Sequence, residues 1–81
     1  MRAIITETFA AALIAAPPEI QKTFGKQLAH LLRDLRHPSL RAKKYDEARG
    51  LWQARVNDDW RFYFTIEDDS YVMRGLRSHP K

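Results

Sequence analysis

The second half of the chain alternates apolar and polar side chains with the two-residue period of β-strands. The clearest run is residues 60–67, where aromatic or aliphatic side chains occupy every second position. Short polar segments at 57–59 and 68–70 separate it from a similar run at 52–56 and from residues 71–76. We therefore predict three strands joined by two acidic turns. One sheet face is predicted to be apolar and packed, while the other carries Arg55, Arg61 and Tyr63.

The first half has the period of helices. Residues 2–5 favour a short strand, and the hydroxyl of Thr6 can cap a first helix that runs to about Ala15. Pro17 and Pro18 end that helix, because proline lacks a backbone donor and disfavours helical geometry before it. A second helix is predicted from about Glu19 to about Arg36. Its apolar stripe recurs at helical spacing: Ile20, Phe24, Leu28, Leu31, Leu32 and Leu35.

Three details complete the predicted organisation. Gly25 weakens the second helix by roughly 1 kcal/mol relative to alanine, and we expect it to allow close packing against the first helix. His37-Pro38 stops the second helix, and residues 40–49 fit either an edge strand or a loop beside the basic face. The prediction is one α+β domain over residues 1–81, with a helical hairpin packed on a small antiparallel sheet.

Composition excludes several classes of protein. A hydrophobic content of 44% in 81 residues supports one core and argues against disorder. The absence of cysteine excludes a disulfide framework, a thiolate nucleophile and cysteine-based metal sites. The longest apolar run, Phe9 to Pro18, is too short to span a bilayer, and no basic segment precedes it. We expect a cytoplasmic protein with no membrane partner, no cofactor, no metal site and no small-molecule ligand.

The distribution of charge indicates an anionic partner. The net charge is +4 and the pI is near 9.8. In the second half, the acidic residues cluster at the predicted turns, whereas the basic residues lie on strands and in residues 41–44. A basic sheet face can therefore coexist with a nearly balanced count, although an ordinary charged surface would give similar totals.

The order of these features resembles the RelE/ParE toxin superfamily. The residues that carry the resemblance are Trp52-Gln53-Ala54-Arg55-Val56, a polar turn, and then Trp60-Arg61-Phe62-Tyr63-Phe64. His37-Pro38-Ser39-Leu40 upstream and Arg77-Ser78-His79 at the end fit the same pattern. The likeness spans nearly the whole chain and implies a RelE-like fold. It also implies a toxin of a type II toxin–antitoxin system, similar to RelE, HigB and YoeB.

The resemblance implies a catalytic pair, Arg61 and His79. Metal-free RNA cleavage needs a cation for the phosphorane-like transition state and an acid for the leaving oxygen. Arg61 interrupts the most apolar strand, and its planar fork suits a phosphate, as it does in the family. His79 resembles the histidine that serves as the acid in the YoeB-like and HigB-like branches. From the residues alone, Arg61 could instead be an exposed strand arginine paired with Glu67 or a turn aspartate. His79 could be a solvated histidine in a frayed tail.

Other residues are predicted to have supporting roles. Lys43, Lys44, Arg55 and Arg77 are predicted to bind RNA, with solvated surface charge as the alternative. Many relatives carry a tyrosine where this chain has Pro80-Lys81, so its function is either lost or supplied by another residue. Tyr63, Tyr45 or Lys81 is expected to replace that tyrosine, and Glu47, or less so Asp46, to act as a base. His30 and His37 are expected to be structural, and the core is expected to include Trp52, Trp60, Phe62 and Phe64. The expected turn formers are Asp58, Asp59, Asp68 and Asp69.

The resemblance implies endonucleolytic cleavage of mRNA on the ribosome, with ribosomal RNA and a cognate antitoxin protein as partners. One alternative keeps the fold but changes the target, because ParE-like members inhibit DNA gyrase. Another is a non-catalytic basic binding module or a degenerate toxin, which the missing tyrosine leaves open. His79 and the basic residues at 41–44 favour the nuclease branch.

Overall fold

Two helices pack against one face of a five-stranded sheet in the computed structural model, which describes residues 1–79. The elements, in chain order, are β1 (Arg2–Ile5), α1 (Glu7–Ala15), α2 (Pro18–Arg33), β2 (Lys43–Asp46), β3 (Leu51–Arg55), β4 (Trp60–Glu67) and β5 (Ser70–Ser78). The α+β class and the helical hairpin are confirmed. The predicted strand at 60–67 matches β4 in both of its bounds.

The sheet has the order β1-β5-β4-β3-β2 and is mixed rather than wholly antiparallel. Strands β2 to β5 form an antiparallel meander, whereas β1 pairs parallel to β5. The helical hairpin carries the chain from one edge of the sheet to the other, and the meander then returns to β1. Its three reversals leave β5 running in the same direction as β1. The alternation pattern shows which side of a strand is apolar but not the direction in which distant strands pair.

An aromatic cluster joins the helices to the sheet. The ring of Phe9 on α1 lies 5.0 Å from that of Phe24 on α2, and Phe24 lies 5.2 Å from Phe62 on β4. Phe64 and Tyr71 extend the cluster along the sheet at 5.5 Å. Each such ring contributes about 1.5–3 kcal/mol when it leaves water, so this cluster is the main anchor of the hairpin. The predicted core positions of the aromatic strand are confirmed.

Thr6 caps α1 as predicted and also ties it to the sheet. Its Oγ1 accepts a hydrogen bond from the backbone N–H of Phe9 at 3.2 Å. The same hydroxyl donates to the backbone oxygen of Met73 on β5 at 2.7 Å. One side chain therefore satisfies an unpaired helix donor and fixes the start of α1 against a central strand.

Helix α2 ends at Arg33, three residues before the predicted end at Arg36. Asp34 adopts an extended conformation with φ −162°, and its carboxylate accepts a hydrogen bond from the backbone N–H of Arg36 at 2.9 Å. Aspartate side chains compete in this way for backbone donors that a helix would otherwise use. Within residues 1–79, no helix is both long and apolar enough to cross a membrane.

Gly25 does not serve close packing, contrary to the expectation from sequence. It is exposed, and a Cβ placed on it would find no atom within 4 Å outside its immediate chain neighbours and the backbone of its own helix turns. The ambiguous segment 40–49 contains the edge strand β2, which pairs with β3 and has a bulge at Tyr45. Leu40, just before it, is fully buried and fixes this end of the loop to the core.

Candidate functional site

Three arginines form a row across the face of the sheet opposite the helices. Arg55 on β3 pairs directly with Arg61 on β4, and Arg61 pairs directly with Arg77 on β5. Side chains directly opposite on neighbouring strands share a face at close range, and like charges there are destabilising. We call Arg55, Arg61 and Arg77 the arginine row. Its mutual repulsion favours the binding of an anion.

Arg61 is anchored to the turn that precedes its own strand. Its Nη1 donates to the backbone oxygens of Asn57 at 2.6 Å and Trp60 at 3.0 Å, with a longer contact to Asp58 at 3.3 Å. All three contacts use Nη1, and no residue within 1–79 is bonded to Nε or Nη2. The guanidinium is therefore fixed at one corner and keeps two nitrogen donors for an anion.

Arg55 lies at the end of the row in a partly buried position. Its Nη2 is 2.9 Å from Oδ1 of Asp58, while its buried Nε has no partner within the described residues. Its backbone N–H donates to Leu40 O, and its backbone oxygen accepts from the side-chain amide of Gln27, both at 2.8 Å. The end of β3 is therefore held by both the loop and α2.

A polar network behind Arg55 accounts for both histidines predicted to be structural. Buried Gln27 donates to Ser39 O and accepts from the Ser39 hydroxyl. The backbone N–H of Ser39 donates to Nδ1 of His37, whose ring stacks on that of His30 with centroids 3.8 Å apart. The stacked rings support the loop that carries Leu40 and so position Arg55 indirectly.

Arg77 is packed against an aromatic pair. Its Cζ lies 4.8 Å from the centre of the Tyr63 ring, within the range of a cation–π contact. Tyr45 on β2 meets the same ring edge-to-face at 5.1 Å, and the Tyr63 hydroxyl accepts from the amide of buried Gln53 at 3.1 Å. Tyr63 is thus largely enclosed, and it acts as a platform for Arg77.

The two predicted lysines do not share a face. Lys43 pairs with Gln53, whose other neighbour is Tyr63, so it lies on the side of the arginine row. Lys44 pairs with Trp52, a core residue, and by alternation it lies on the helix side of the sheet. The structure therefore separates Lys44 from the other predicted RNA-binding residues.

Arg41 belongs to the site, although sequence reasoning singled it out only as part of a basic segment. With Lys43, Arg55 and Arg61 it lines a pocket of about 210 Å³ that has no carboxylate among its described lining residues. Its φ of 45° lies in the left-handed region, which is uncommon for a residue with a side chain. Such conformations are concentrated at functional sites, and this one turns the chain from buried Leu40 into β2.

His79 follows directly after β5. Its backbone N–H donates to the backbone oxygen of Asp59 at 2.5 Å, so the ladder between β4 and β5 continues by one residue. Alternation from Arg77 places His79 on the same side as the arginine row, and its side chain is exposed. Pro80 and Lys81, including the suggestion that Lys81 replaces a tyrosine, lie outside the described residues.

The predicted bases lie away from the pocket beside Arg41. Asp46 accepts from the backbone N–H of Arg49 at 3.3 Å within the turn that follows β2, and Glu47 is exposed in that turn. Neither lines the cationic pocket. Across residues 1–79, no group of three or more histidine or carboxylate side chains is placed to hold a metal ion.

A second, larger pocket of about 440 Å³ lies on the same face, beyond Arg77. Its polar wall is formed by Thr65, Glu67 and Arg74, and sequence reasoning assigned no function to any of them. Glu67 Oε2 accepts from the Thr65 hydroxyl at 2.8 Å and from Arg74 Nη2 at 2.5 Å. The hydrogen bond from Thr65, followed by that from Arg74, lowers the pKa of Glu67 below its ordinary value.

Compared by sequence, the chain matches no protein-family model and no curated protein. Compared by structure, it is similar to a YoeB/ParE toxin from Agrobacterium tumefaciens, with a TM-score of 0.74 and 11% identity over 99% of this chain and 100% of that one. It is also similar to a structure of the RelB-RelE antitoxin–toxin complex from Methanococcus jannaschii, with a TM-score of 0.76, 17% identity, and coverage of 93% of this chain and 88% of that one.

A third similar structure is a copper-bound mutant toxin from Helicobacter pylori, with a TM-score of 0.73 and 13% identity over 98% of this chain and 94% of that one. These likenesses extend over nearly the full length of each chain, while the sequences have diverged to below one identical residue in five. They are likenesses of backbone architecture. The chain has the fold of the RelE/ParE toxins.

Proposed function

We propose that this protein is the toxin of a type II toxin–antitoxin pair and cleaves mRNA on the ribosome without a metal ion. The observation that carries the proposal is the arginine row, three like charges in register on an open sheet face. Each arginine has a contact within the fold, but the only carboxylate bonded to the row within residues 1–79 is Asp58, on Arg55. An anionic ligand would offset the remaining repulsion. The similar toxin structures and the order of the sequence motifs support the same interpretation.

In the proposed reaction, the 2′-hydroxyl of the RNA transfers its proton to solvent water, and its oxygen attacks the adjacent phosphorus. The bond from phosphorus to the 5′-oxygen then breaks, which leaves a 2′,3′-cyclic phosphate and a 5′-hydroxyl. Arg61 stabilises the charge on the phosphoryl oxygens with its unbonded Nε and Nη2. His79 donates the proton to the leaving 5′-oxygen, because a histidine can carry a proton near neutral pH.

The remaining cations position the RNA. Arg55 and Arg77 flank Arg61 on either side, one strand away, so they bind oxygens of the scissile or adjacent phosphates. Lys43 and Arg41 line the pocket at the Arg55 end of the row and extend this contact towards the edge of the sheet. Lys44, on the other face, is assigned to contact with ribosomal RNA away from the scissile phosphate.

The proposal includes a cognate antitoxin and a cytoplasmic site of action. The similarity to a toxin solved in complex with its antitoxin supports such a partner. A net charge of +4 favours an antitoxin with an acidic segment that folds over the toxin.

A second candidate is inhibition of DNA gyrase, because one similar structure is described as a YoeB/ParE toxin. In that case the arginine row binds a different anionic surface, and His79 has no catalytic part. A non-catalytic basic module is the remaining alternative.

Cell-free translation with the purified protein tests the proposal, with mRNA ends mapped by primer extension. We expect new ends that require ribosomes and that disappear with Arg61→Ala. Because Arg61 also supports its turn, Arg61→Lys and a thermal unfolding curve separate loss of phosphate contact from misfolding. Arg2→Ala is the matched control, because this exposed arginine lies on the edge strand β1 and pairs with Ser70, at the end of β5 away from Arg77.

His79→Ala tests the proposed acid separately. Retained cleavage in that variant would remove His79 from the mechanism while leaving Arg61 in place. If the wild-type protein leaves both mRNA and translation intact, the nuclease proposal is wrong, and a gyrase supercoiling assay is the next measurement.

A further inference from the structure

The pocket beyond Arg77 has features that phosphate binding alone does not require. It has a volume of about 440 Å³, which lies within the range of pockets that hold small organic groups. Its lining combines one carboxylate, Glu67, with several guanidinium groups and Tyr63. A site for phosphate alone would not present a carboxylate to its ligand.

A β-bulge builds this pocket. Tyr63 pairs with Gly75 and Phe64 pairs with Met73, so Arg74 is the extra residue between two successive pairs. Its side chain reaches Thr65 and Glu67 on the open face. Gly75, the next residue, lies on the same face opposite Tyr63 and also lines the pocket. Because it has no side chain, it leaves space there. Bulges re-aim side chains in this way and are frequent beside active sites.

The carboxylate of Glu67 retains capacity to accept hydrogen bonds. Both of its contacts, from Thr65 and Arg74, are made to Oε2. No residue within 1–79 is bonded to Oε1. A glutamate with an ordinary pKa is already ionised at neutral pH, and the pKa of Glu67 is lowered further, so the group is an acceptor only.

We propose that this pocket receives a nucleobase of the RNA next to the phosphate held by the arginine row, and that guanine fits it best. The proposal rests on the proposed function for the class of ligand, RNA. Arg77 joins the two sites, because it belongs to the row and also lines the pocket. Its guanidinium plane, supported by Tyr63, offers a surface on which a base can stack.

The choice of guanine follows from hydrogen-bond complementarity. Guanine presents adjacent N1–H and N2–H donors on one edge, which a carboxylate accepts, and O6 and N7 acceptors that an arginine binds. Glu67 and the arginines Arg49, Arg74 and Arg77 line the same pocket and offer both types of partner. Adenine and cytosine each offer a single amino group to a carboxylate, and uracil a single imide N–H. Glu67 is therefore proposed as a specificity-determining residue.

Binding of the four nucleoside 5′-monophosphates and of inorganic phosphate, measured by isothermal titration calorimetry, tests this inference. We expect GMP to bind roughly tenfold more tightly than AMP, CMP or UMP, the discrimination of one good bidentate contact. Glu67→Gln should abolish the preference for GMP while leaving phosphate binding within about twofold. Loss of fold is not expected, because Glu67 is exposed.

Gly75→Val tests the cavity independently of Glu67. A Cβ at residue 75 would meet Tyr63 Cδ1 at 3.7 Å, an ordinary contact, and valine suits a strand. Its two methyl groups would occupy space in the pocket. We expect this variant to bind all four nucleotides with the affinity of inorganic phosphate. Gly25→Val, at an exposed helix position, is the control for the same substitution elsewhere.

Equal binding of the four nucleotides by the wild type, or an unchanged GMP preference in Gly75→Val, would overturn the inference. The readout is separate from cleavage. If mRNA is cleaved but the bases are not distinguished, the proposed function stands and the base pocket is wrong. If GMP is selected but no RNA is cleaved, the pocket stands and the nuclease proposal is wrong.

Discussion

Arg61 and Arg77 lie directly opposite each other on β4 and β5, with Arg55 opposite Arg61 on the other side. Repulsion between exposed like charges is screened by salt, and the Debye length falls from about 30 Å at 10 mM to about 8 Å at 150 mM. Raising the salt concentration should therefore stabilise the wild type more than Arg77→Gln. Urea unfolding at the two salt concentrations measures this difference.

Arg2→Gln is the control for this measurement, because Arg2 pairs with Ser70 at the start of β5, whereas Arg77 lies near the end of that strand. The ion pair of Arg2 with Asp69 is long, at 4.0 Å. The control variant should show the salt response of the wild type. If Arg77→Gln also responds like the wild type, the row is not a source of electrostatic strain, and the principal argument for an anionic ligand is lost.

Thr6→Ala should lower the free energy of unfolding by about 1–2 kcal/mol. The substitution removes the cap of α1 and also the donor to Met73 O on β5. Thr6→Ser keeps both bonds and should cost little. Thr8→Ala, at an exposed position of the same helix, controls for the change in composition. Chemical denaturation of the four proteins gives the comparison. Equal losses of unfolding free energy in Thr6→Ala and Thr8→Ala would contradict a stabilising role for the two hydrogen bonds of Thr6.

Gln27→Leu should destabilise the fold by about 2 kcal/mol and also reduce RNA cleavage. The buried amide donates to Ser39 O and Arg55 O, and each of these oxygens would lose its donor. Gln21→Leu, which removes a more exposed contact to Ala16 O, should cost less. Cleavage is compared at a temperature where both variants are folded. Normal cleavage by folded Gln27→Leu would show that this network does not position Arg55.

Gly25→Ala should stabilise the protein by about 0.5–1 kcal/mol. The helix interior favours alanine, and the position offers open space for a Cβ. Thermal unfolding measured by circular dichroism should show a higher Tm with unchanged mRNA cleavage. A lower Tm would mean that this surface of α2 has a contact that the structure does not show.

Stability should fall at alkaline pH because of Tyr71. Burial, and secondarily the charge of Asp34, raises the pKa of Tyr71 above its ordinary value. The unfolded chain then loses the proton at a lower pH than the folded chain, so the stabilisation is complete below about pH 10 and declines as pH rises further towards the raised folded-state pKa. Urea unfolding should give a constant stability difference between the wild type and Tyr71→Phe up to about pH 9. Above that pH, the wild type should lose stability relative to the variant. A difference that stays constant to about pH 11 would contradict the direction of the shift.

Local signals in the sequence predicted local structure well. The eight alternating residues of β4 lie between polar turns, and the cap at Thr6 needs only the next turn of helix, so both were readable from neighbouring residues. The end of α2 was misplaced because the Asp34 side chain competes with the helix for a backbone donor. Helical periodicity carries no information about that competition.

Features that depend on distant strands were not predictable in the same way. The bulge at Arg74 exists only in the register between β4 and β5, and it created a pocket that strict alternation does not allow. The separation of Lys43 from Lys44 follows from their pairing with β3, since two adjacent lysines look equivalent in a sequence. The sequence placed Arg55 and Arg61 on one face. That they lie directly opposite each other, with Arg77 next in the row, depends on the register of three strands and could not be predicted.

Because β1 pairs in parallel with β5, the first strand of the fold cannot pair until the last strand has formed. The four partner pairs run from Arg2 with Ser70 to Ile5 with Met73, so each contact closes nearly the whole chain. Contacts of such high sequence separation slow folding, because the entropy of closing the loop is lost before the contact forms. The hairpin that carries Arg55 and Arg61 can form locally. Arg77 joins the row, and β1 acquires its pairing partner, only when β5 is in place. A chain truncated before β5 would lack the strand beside β4 and leave β1 without a partner, so the complete arginine row arises only in the finished fold.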